Sequence, residues 1–311
     1  MNLRIFIYFS LATLFWGLNF HFGKLALKVI SPNSISFYRF LFSSIGLGII
    51  LLIYEKIPWG FIFLHFKYFL ILSTVGIFMY NNLFYIAMQY TTAVNASLIV
   101  AFNPIITTVI MFIVFQKEIT KFQVIGMIIS LLGVFTIISK WNYEIISQLK
   151  FALGDLLMLL VTSTFVFYNI FVKRWFPNTS ALLISTMITI LSMPLFSIVF
   201  YWDSASLAIC DMNSYQLGLL LAIAFGGSVF GSILWNQALK SVSPELGAVF
   251  VNFIPLFAIL TAPLFGEYPT LVQLLGGILI ILGVLIVNFG KSWYQKLDIF
   301  KSKKFGINKF K

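Results

Sequence analysis

Long apolar stretches separated by brief polar connections run the length of this chain. Ten spans are expected, at about 5–27, 35–54, 68–88, 94–115, 121–139, 151–172, 180–201, 215–238, 246–265 and 271–289. A helix crossing a bilayer needs about 20 apolar residues, whereas membrane strands would alternate over runs of about ten. Continuous hydrophobicity therefore predicts helices. Turn and cap residues mark the connections, as in Ser31-Pro32-Asn33-Ser34, Pro177-Asn178-Thr179 and Ser243-Pro244-Glu245. The longest breaks, 55–67, 140–150 and 202–214, are too short for a separate domain.

The second half of the pattern repeats the first. Ala87-Met88-Gln89 and Asn103-Pro104-Ile105 return as Ala238-Leu239-Lys240 and Ile254-Pro255-Leu256, both at an offset of 151 residues. Gln123, Gly126 and Gly133 return as Gln273, Gly276 and Gly283 at an offset of 150, a change that a small loop deletion would produce. Glu118 and Glu267 are expected in equivalent turns at span ends. Five spans per copy is an odd number, so the second copy must enter the membrane in the opposite sense. The expected fold is an all-α polytopic membrane protein with ten transmembrane helices in two inverted five-helix repeats. The first repeat covers 1–145, the second 146–290, and a basic cytoplasmic tail 291–311. Inverted repeats supply two similar conformations, one open to each side.

Composition supports a chain consumed by membrane. Of 311 residues, 60% are hydrophobic and 9% charged, against about 25% charged in soluble domains. The net charge of +11 does not point to nucleic acid, because seven of the twenty basic residues fall from Lys291 onward, where anionic membrane lipid would attract them. With the N-terminus cytoplasmic, that side also receives Arg4, Lys56, Lys67, Lys117, Lys121, Lys173, Arg174 and Lys240. The other side receives Lys28, Lys140 and Lys150. This bias predicts that both termini are cytoplasmic. One cysteine, Cys210, excludes an internal disulfide or an all-cysteine metal site. HExxH, GxSxG and GxGxxG motifs are absent, so no enzyme, metal or cofactor is expected.

The polar residues inside the spans are candidates for a transport route. Pro104 and Pro255 each remove a backbone donor near mid-span and should bend or interrupt the helix, in a kink or gating role. Trp16, Asn19, Phe20 and Gly23 can share one face of span 1. Arg39 either snorkels to the interface or faces the bundle interior and pairs with an anionic group. Asn81 and Asn82 interrupt span 3, Asn95 begins span 4, and Trp235, Asn236 and Gln237 cluster in span 8 beside Gly226-Gly227 and Gly231. His21, Asp155 and Glu245 are the candidates for proton coupling. For Asp155 and Glu245, a place in a first helical turn is the plainer explanation.

Phe15-Trp16-Gly17-Leu18-Asn19-Phe20, Phe37-Tyr38-Arg39-Phe40, the mid-span Pro104 and Pro255, and the turns Gln116-Lys117-Glu118 and Phe265-Gly266-Glu267 resemble the drug/metabolite transporter superfamily, in particular bacterial EamA-type carriers. The resemblance covers residues 5–290. It implies a multi-pass carrier of the bacterial inner membrane, with a central cavity formed by helices 1, 3, 4, 6, 8 and 9 and with helices 5 and 10 more peripheral. Matched onto this chain, it nominates Trp16, Asn19, Asn82, Asn103, Tyr168, Trp235 and Asn252 as cavity residues; Arg39, a charge inside span 2, is a separate candidate for binding an anionic group of the substrate. Gln116-Lys117 departs from the glycine usual before the first glutamate. The function expected is alternating-access transport of small polar organic metabolites, amino acids or derivatives first, in the direction of export. The partners are a small-molecule substrate and membrane lipid, in a monomer or homodimer. A non-transporting ligand-binding or sensor subunit is the alternative.

Overall fold

The computed structural model describes residues 2–90, 99–147, 153–205 and 207–305; Asn95 lies outside them. The described residues are helical throughout, with no strand. The principal helices are α1 (Leu3–Ala26), α2 (Pro32–Tyr54), α3 (66–89), α4 (Asn103–Phe115), α5 (Lys121–Ser139), α6 (Leu153–Trp175), α7 (Ala181–Trp202), α8 (Ser214–Leu239), α9 (Pro244–Phe265) and α10 (Leu271–Phe305). Among the described residues, eight are long and apolar enough to cross a membrane; α3 is not among them, and α4 is shorter. The chain is thus a multi-pass membrane protein. The connections contain the short helices Trp59–Leu64 and Tyr143–Ser147 and a 3-10 turn at Ile209–Asp211.

Capping chemistry sets the helix boundaries. Asn2, Ser31, Thr120, Ser180 and Asn213 each accept a backbone N–H from the first turn that follows. Thr120 and Asn213 complete capping boxes with Gln123 and Gln216. Thr270 and Gln273 make the same reciprocal bonds before α10. At the ends of α4 and α9 the backbone turns left-handed, at Gln116 (φ 51°) and at Gly266 (φ 78°). Glu118 and Glu267 both lie in the turns that follow these caps, one position out of register with each other. Counting from each left-handed residue, the position that corresponds to Glu267 is Lys117, and Glu118 matches Tyr268.

Two features decide the interior. First, α3 and α8 each contain a π-helical segment, Leu72–Met79 and Ile223–Phe230, at the same 151-residue offset as the proline elements. The segment in α8 packs on α1 and α2; the segment in α3 packs on α6 and α7. π-Helical geometry within otherwise α-helical runs is frequent at functional sites. Second, α5 and α10 form the most extensive helix pair and run antiparallel. A β-carbon on Gly126 would stand 2.6 Å from the Gly283 carbonyl oxygen, and one on Gly133 would stand 2.6 Å from that of Gly276. Only glycine allows backbones to approach so closely, a common way of joining helices where lipid removes the hydrophobic drive.

The proline elements coincide with helix interruptions. Residue 102 is a turn, after which α4 begins at Asn103 with Pro104 in its first turn. Helix α9 breaks at Val251-Asn252 and resumes at Phe253, with Pro255 in the renewed first turn.

Candidate functional site

The π segment of α8 is the centre of a polar cluster built from both halves of the chain. Gly227 provides the groove. The Trp16 indole Nε1 donates to its carbonyl at 3.0 Å, and the Asn19 Nδ2 donates to the Ile223 carbonyl at 3.4 Å. The Asn19 carboxamide lies so tightly in the groove that a β-carbon on Gly227 would fall 1.6 Å from Nδ2. On the next residue, the Ser228 hydroxyl accepts from Arg39 Nε at 2.7 Å. Arg39 Nη1 reaches Asn81 Oδ1 at 3.4 Å, just beyond the π segment of α3, and the guanidinium lies 5.2 Å from the Phe40 ring centre. Asn81 in turn donates from Nδ2 to the Ile77 carbonyl at 2.7 Å. Arg39 therefore points inward and joins the two π-bearing helices.

This orientation makes Arg39 unusual. An arginine within a membrane helix is costly, by about 2.5–3.5 kcal/mol on insertion scales when at the centre and less toward the ends, so such residues are normally paired or functional. Among the described residues, no carboxylate lies within 4 Å of it. Its protein partners are a hydroxyl and an amide, both neutral. The residue on α3 that meets it is Asn81 rather than the nominated Asn82, which is half-buried. Ser228 gave no separate signal, because serine is common in membrane helices; its place after Gly226-Gly227 was the available clue.

The nominated aromatics form a layer beside this cluster. Trp16 lies 4.9 Å from Trp235 and 5.9 Å from Phe165 between ring centres. Trp235 is buried, and its Nε1 donates to Asn169 Oδ1 at 2.8 Å. Tyr168 is also buried; its hydroxyl donates to Asn236 Oδ1 at 2.9 Å, and Asn236 donates to Ser185 at 2.9 Å. The polar groups of Trp235 and Tyr168 are thus spent within the protein, while Trp16, Asn19 and Arg39 are half-buried. Asn103 and Asn252 are both buried near the breaks in α4 and α9, and Asn252 Nδ2 donates to Ser130 at 2.9 Å. Among the described residues, Asn19 Oδ1, Asn103 Nδ2 and Asn252 Oδ1 are buried with no hydrogen-bond partner. Such atoms in a native interior call for a ligand or water.

Two cavities lie at opposite ends of α9. One, of about 430 Å³, is lined by Lys117, Lys173, Arg174 and the Ser241–Pro244 turn. Glu245, buried behind it, pairs with Lys117 at 3.0 Å. Lys173 donates to the carbonyls of Leu239 and Lys240, at 3.4 and 3.2 Å, and of Val242. Arg174 lies over the Phe115 ring. The other cavity, of about 400 Å³, is lined by His21, Lys140 and Glu267 among others. Here Lys24 pairs with Glu267 at 2.9 Å, and this contact is the main reason the Glu267 carboxyl is held below its ordinary range. His21 Nε2 faces the Ala258 carbonyl at 2.8 Å, which fixes the proton on that nitrogen, and its ring stacks on Phe265. Asp155 is buried in the first turn of α6. Among the described residues, no group of three or more metal-ligating side chains converges.

The family model described as the EamA-like transporter family matches residues 3–139 and again 152–289. The chain is 27% identical over 287 residues to the uncharacterized transporter YyaM of Bacillus subtilis (strain 168), covering 92% of this chain and 94% of that one. It is 28% identical over 292 residues to an uncharacterized transporter of Archaeoglobus fulgidus, covering 93% and 98%. It is 25% identical over 281 residues to the uncharacterized inner membrane transporter YhbE of Escherichia coli (strain K12), covering 86% and 85%. A solved crystal structure superposes with a TM-score of 0.72 at 16% identity, covering 91% of this chain and 95% of the other, a likeness of fold. The chain belongs to the EamA-like transporter family, a branch of the drug/metabolite transporter superfamily, and is a membrane transporter rather than an enzyme.

Proposed function

We propose that this member of the EamA-like transporter family works by alternating access, with ten spans in two inverted repeats and both termini in the cytoplasm. The repeats are 1–145 and 146–290, followed by the basic tail 291–311. The observation that carries this reading is the crossed packing of the π segments: each lies against the first two principal helices of the other half. A segment that joins the halves and departs from α-helical geometry can change register while its neighbours keep theirs. The antiparallel glycine contact of α5 with α10 supports the inverted relation of the halves.

The cargo is a small polar organic metabolite, with amino acids and their derivatives the first class to test, moved outward across the bacterial inner membrane. The name of the Escherichia coli relative supports that location. Trp16 and Asn19 would contact the cargo, and Arg39 its anionic group; Asn82, Asn103 and Asn252 would line the route. Tyr168 and Trp235 would hold the neighbouring helices in place, since both are buried and bonded to the asparagines of adjacent helices. Pro104 and Pro255 mark the hinges of α4 and α9. His21, Asp155 and Glu245 remain the groups to test for proton coupling. Purified protein in liposomes preloaded with unlabelled substrate should show saturable counterflow of labelled substrate. Absence of counterflow across a broad metabolite panel, with correctly inserted protein, would refute the reading and favour a ligand-binding subunit.

A further inference from the structure

Arg39 has an internal control within the same fold. Both α2 and α7 open with a serine N-cap, Ser31 and Ser180. Aligned on those caps, the position that matches Arg39 is Ile188, which is buried. Helix α7 packs on the π segment of α3 as α2 packs on that of α8. One packing arrangement is therefore made twice, once with a guanidinium and once with an apolar side chain. The packing does not require the charge.

What the charge meets is equally telling. Arg39 donates to Ser228 and to Asn81, which supply dipoles but no negative charge. A guanidinium carries five N–H donors in a planar fork that suits a carboxylate or phosphate. Two of these contacts go to protein, and no carboxylate lies within 4 Å among the described residues. Ser228 and Asn81 orient the fork and leave its charge uncompensated. The Trp16 and Asn19 side chains are bonded to the same π segment, at the carbonyls of Gly227 and Ile223.

We propose that Arg39 is the oxyanion-binding residue of the central site and that the cargo is a small organic anion, recognised through a carboxylate or phosphate and carried with its net negative charge. This rests on the transport reading above and narrows its cargo to one charge class. An amino acid would be accepted best with its amine blocked or absent, since the cluster around Arg39 offers no carboxylate to an ammonium group. Arg39 stays with the protein, so each cycle moves the charge of the cargo. In a cell that is negative inside, the membrane potential then drives an anion outward without a coupled proton. A potential of 100 mV supports a concentration ratio of about 50 for a single charge.

The test uses detergent-purified full-length protein and proteoliposomes with one matched ligand series: N-acetylglycine, N-acetylleucine and glycerol phosphate as anions, leucine as the zwitterion, and leucinamide as the cation. Binding is read as thermal stabilisation. The anions should raise the melting temperature and leucinamide should not. R39Q should abolish the shift, and R39K, which keeps charge but loses the fork, should weaken binding at least tenfold. Stabilisation by a carboxylate but not by glycerol phosphate, or the reverse, identifies the oxyanion. Transport is read separately as counterflow, and then as uptake driven by a valinomycin potassium potential, positive inside. An accumulated anion should follow the potential, and collapse of the proton gradient should not change it. The proposal is overturned if leucinamide or leucine binds better than every anion, if no oxyanion stabilises the wild-type protein, if R39Q binds anions normally, or if anion uptake ignores the potential. Anion binding without counterflow of any metabolite would instead overturn the transport reading and leave the oxyanion site standing.

Discussion

Two adjacent glycines should respond very differently to the same substitution. In Gly227→Ala the new β-carbon would lie 1.6 Å from Asn19 Nδ2 and 2.7 Å from its Cγ. Ordinary contacts begin near 3.4 Å, so the carboxamide must withdraw by roughly 1.5–2 Å, losing its bond to the Ile223 carbonyl. Alternatively α1 must shift, which strains the Trp16 bond to Gly227. Overpacking of this kind costs about 1–3 kcal/mol. In Gly226→Ala the nearest atoms are Phe15 Cδ1 at 3.6 Å and Asn19 Oδ1 at 3.9 Å, an ordinary fit. Its effect should stay within about 0.5 kcal/mol. Asn19→Ala removes one interhelical hydrogen bond, worth about 0.6 kcal/mol in membrane proteins. It also vacates the space the Gly227→Ala methyl group needs, so the double variant should be little worse than Asn19→Ala alone, a coupling of about 1–2 kcal/mol. Denaturant unfolding in mixed micelles measures each corner of the cycle, and counterflow should fall in Gly227→Ala but persist in Gly226→Ala. Equal destabilisation by the two alanines, or strict additivity of Asn19→Ala with Gly227→Ala, would refute the packing argument.

Three further outcomes follow from the ends of the helices and from the α5–α10 contact. Glu245 is 3% exposed and its partner Lys117 41% exposed. Lys117→Met should therefore cost about 3 kcal/mol by stranding a buried carboxylate, and Glu245→Gln clearly less, because the lysine can reach water; the reverse order in unfolding titrations would contradict this. The Lys24–Glu267 pair is 67% and 59% exposed, so solvent screening limits it to a few tenths of a kcal/mol. Because Lys24 holds the Glu267 carboxyl low, the stability lost in Glu267→Gln should be present above the ordinary carboxyl value of 4.5. It should fade as pH falls through the lowered value, and diminish in high salt; a difference that grows on acidification would reverse the sign. Gly133→Ala places its methyl group 2.6 Å from a backbone carbonyl that cannot rotate away, and should destabilise by about 1–3 kcal/mol. Melting temperatures unchanged by that substitution would mean that α5 and α10 can separate freely.

The amino-acid sequence was sufficient for the membrane class, for nearly all the helical runs and for the recurrence of glycines and prolines between the halves. Those features are local or periodic, and hydrophobic runs of bilayer length permit few other structures. Arg39 was visible as an exceptional charge in an apolar span. Its direction was not. A membrane helix is apolar on most of its circumference, so periodicity does not reveal which face turns inward, and the same arginine could have reached the headgroups. The decision came from Ser228 and Asn81, brought within reach by α8 and α3. The π turns had no sequence signature, since one residue more per turn changes the backbone bonding without changing composition. The caps at Gln116 and Gly266 shifted the alignment of the span-end turns so that Lys117 stands opposite Glu267 in the repeat. Burial likewise separated Trp16 from Trp235, two similar residues in the sequence, because only packing decides whether an indole N–H is spent on a neighbour deep in the interior or on the groove where the halves meet.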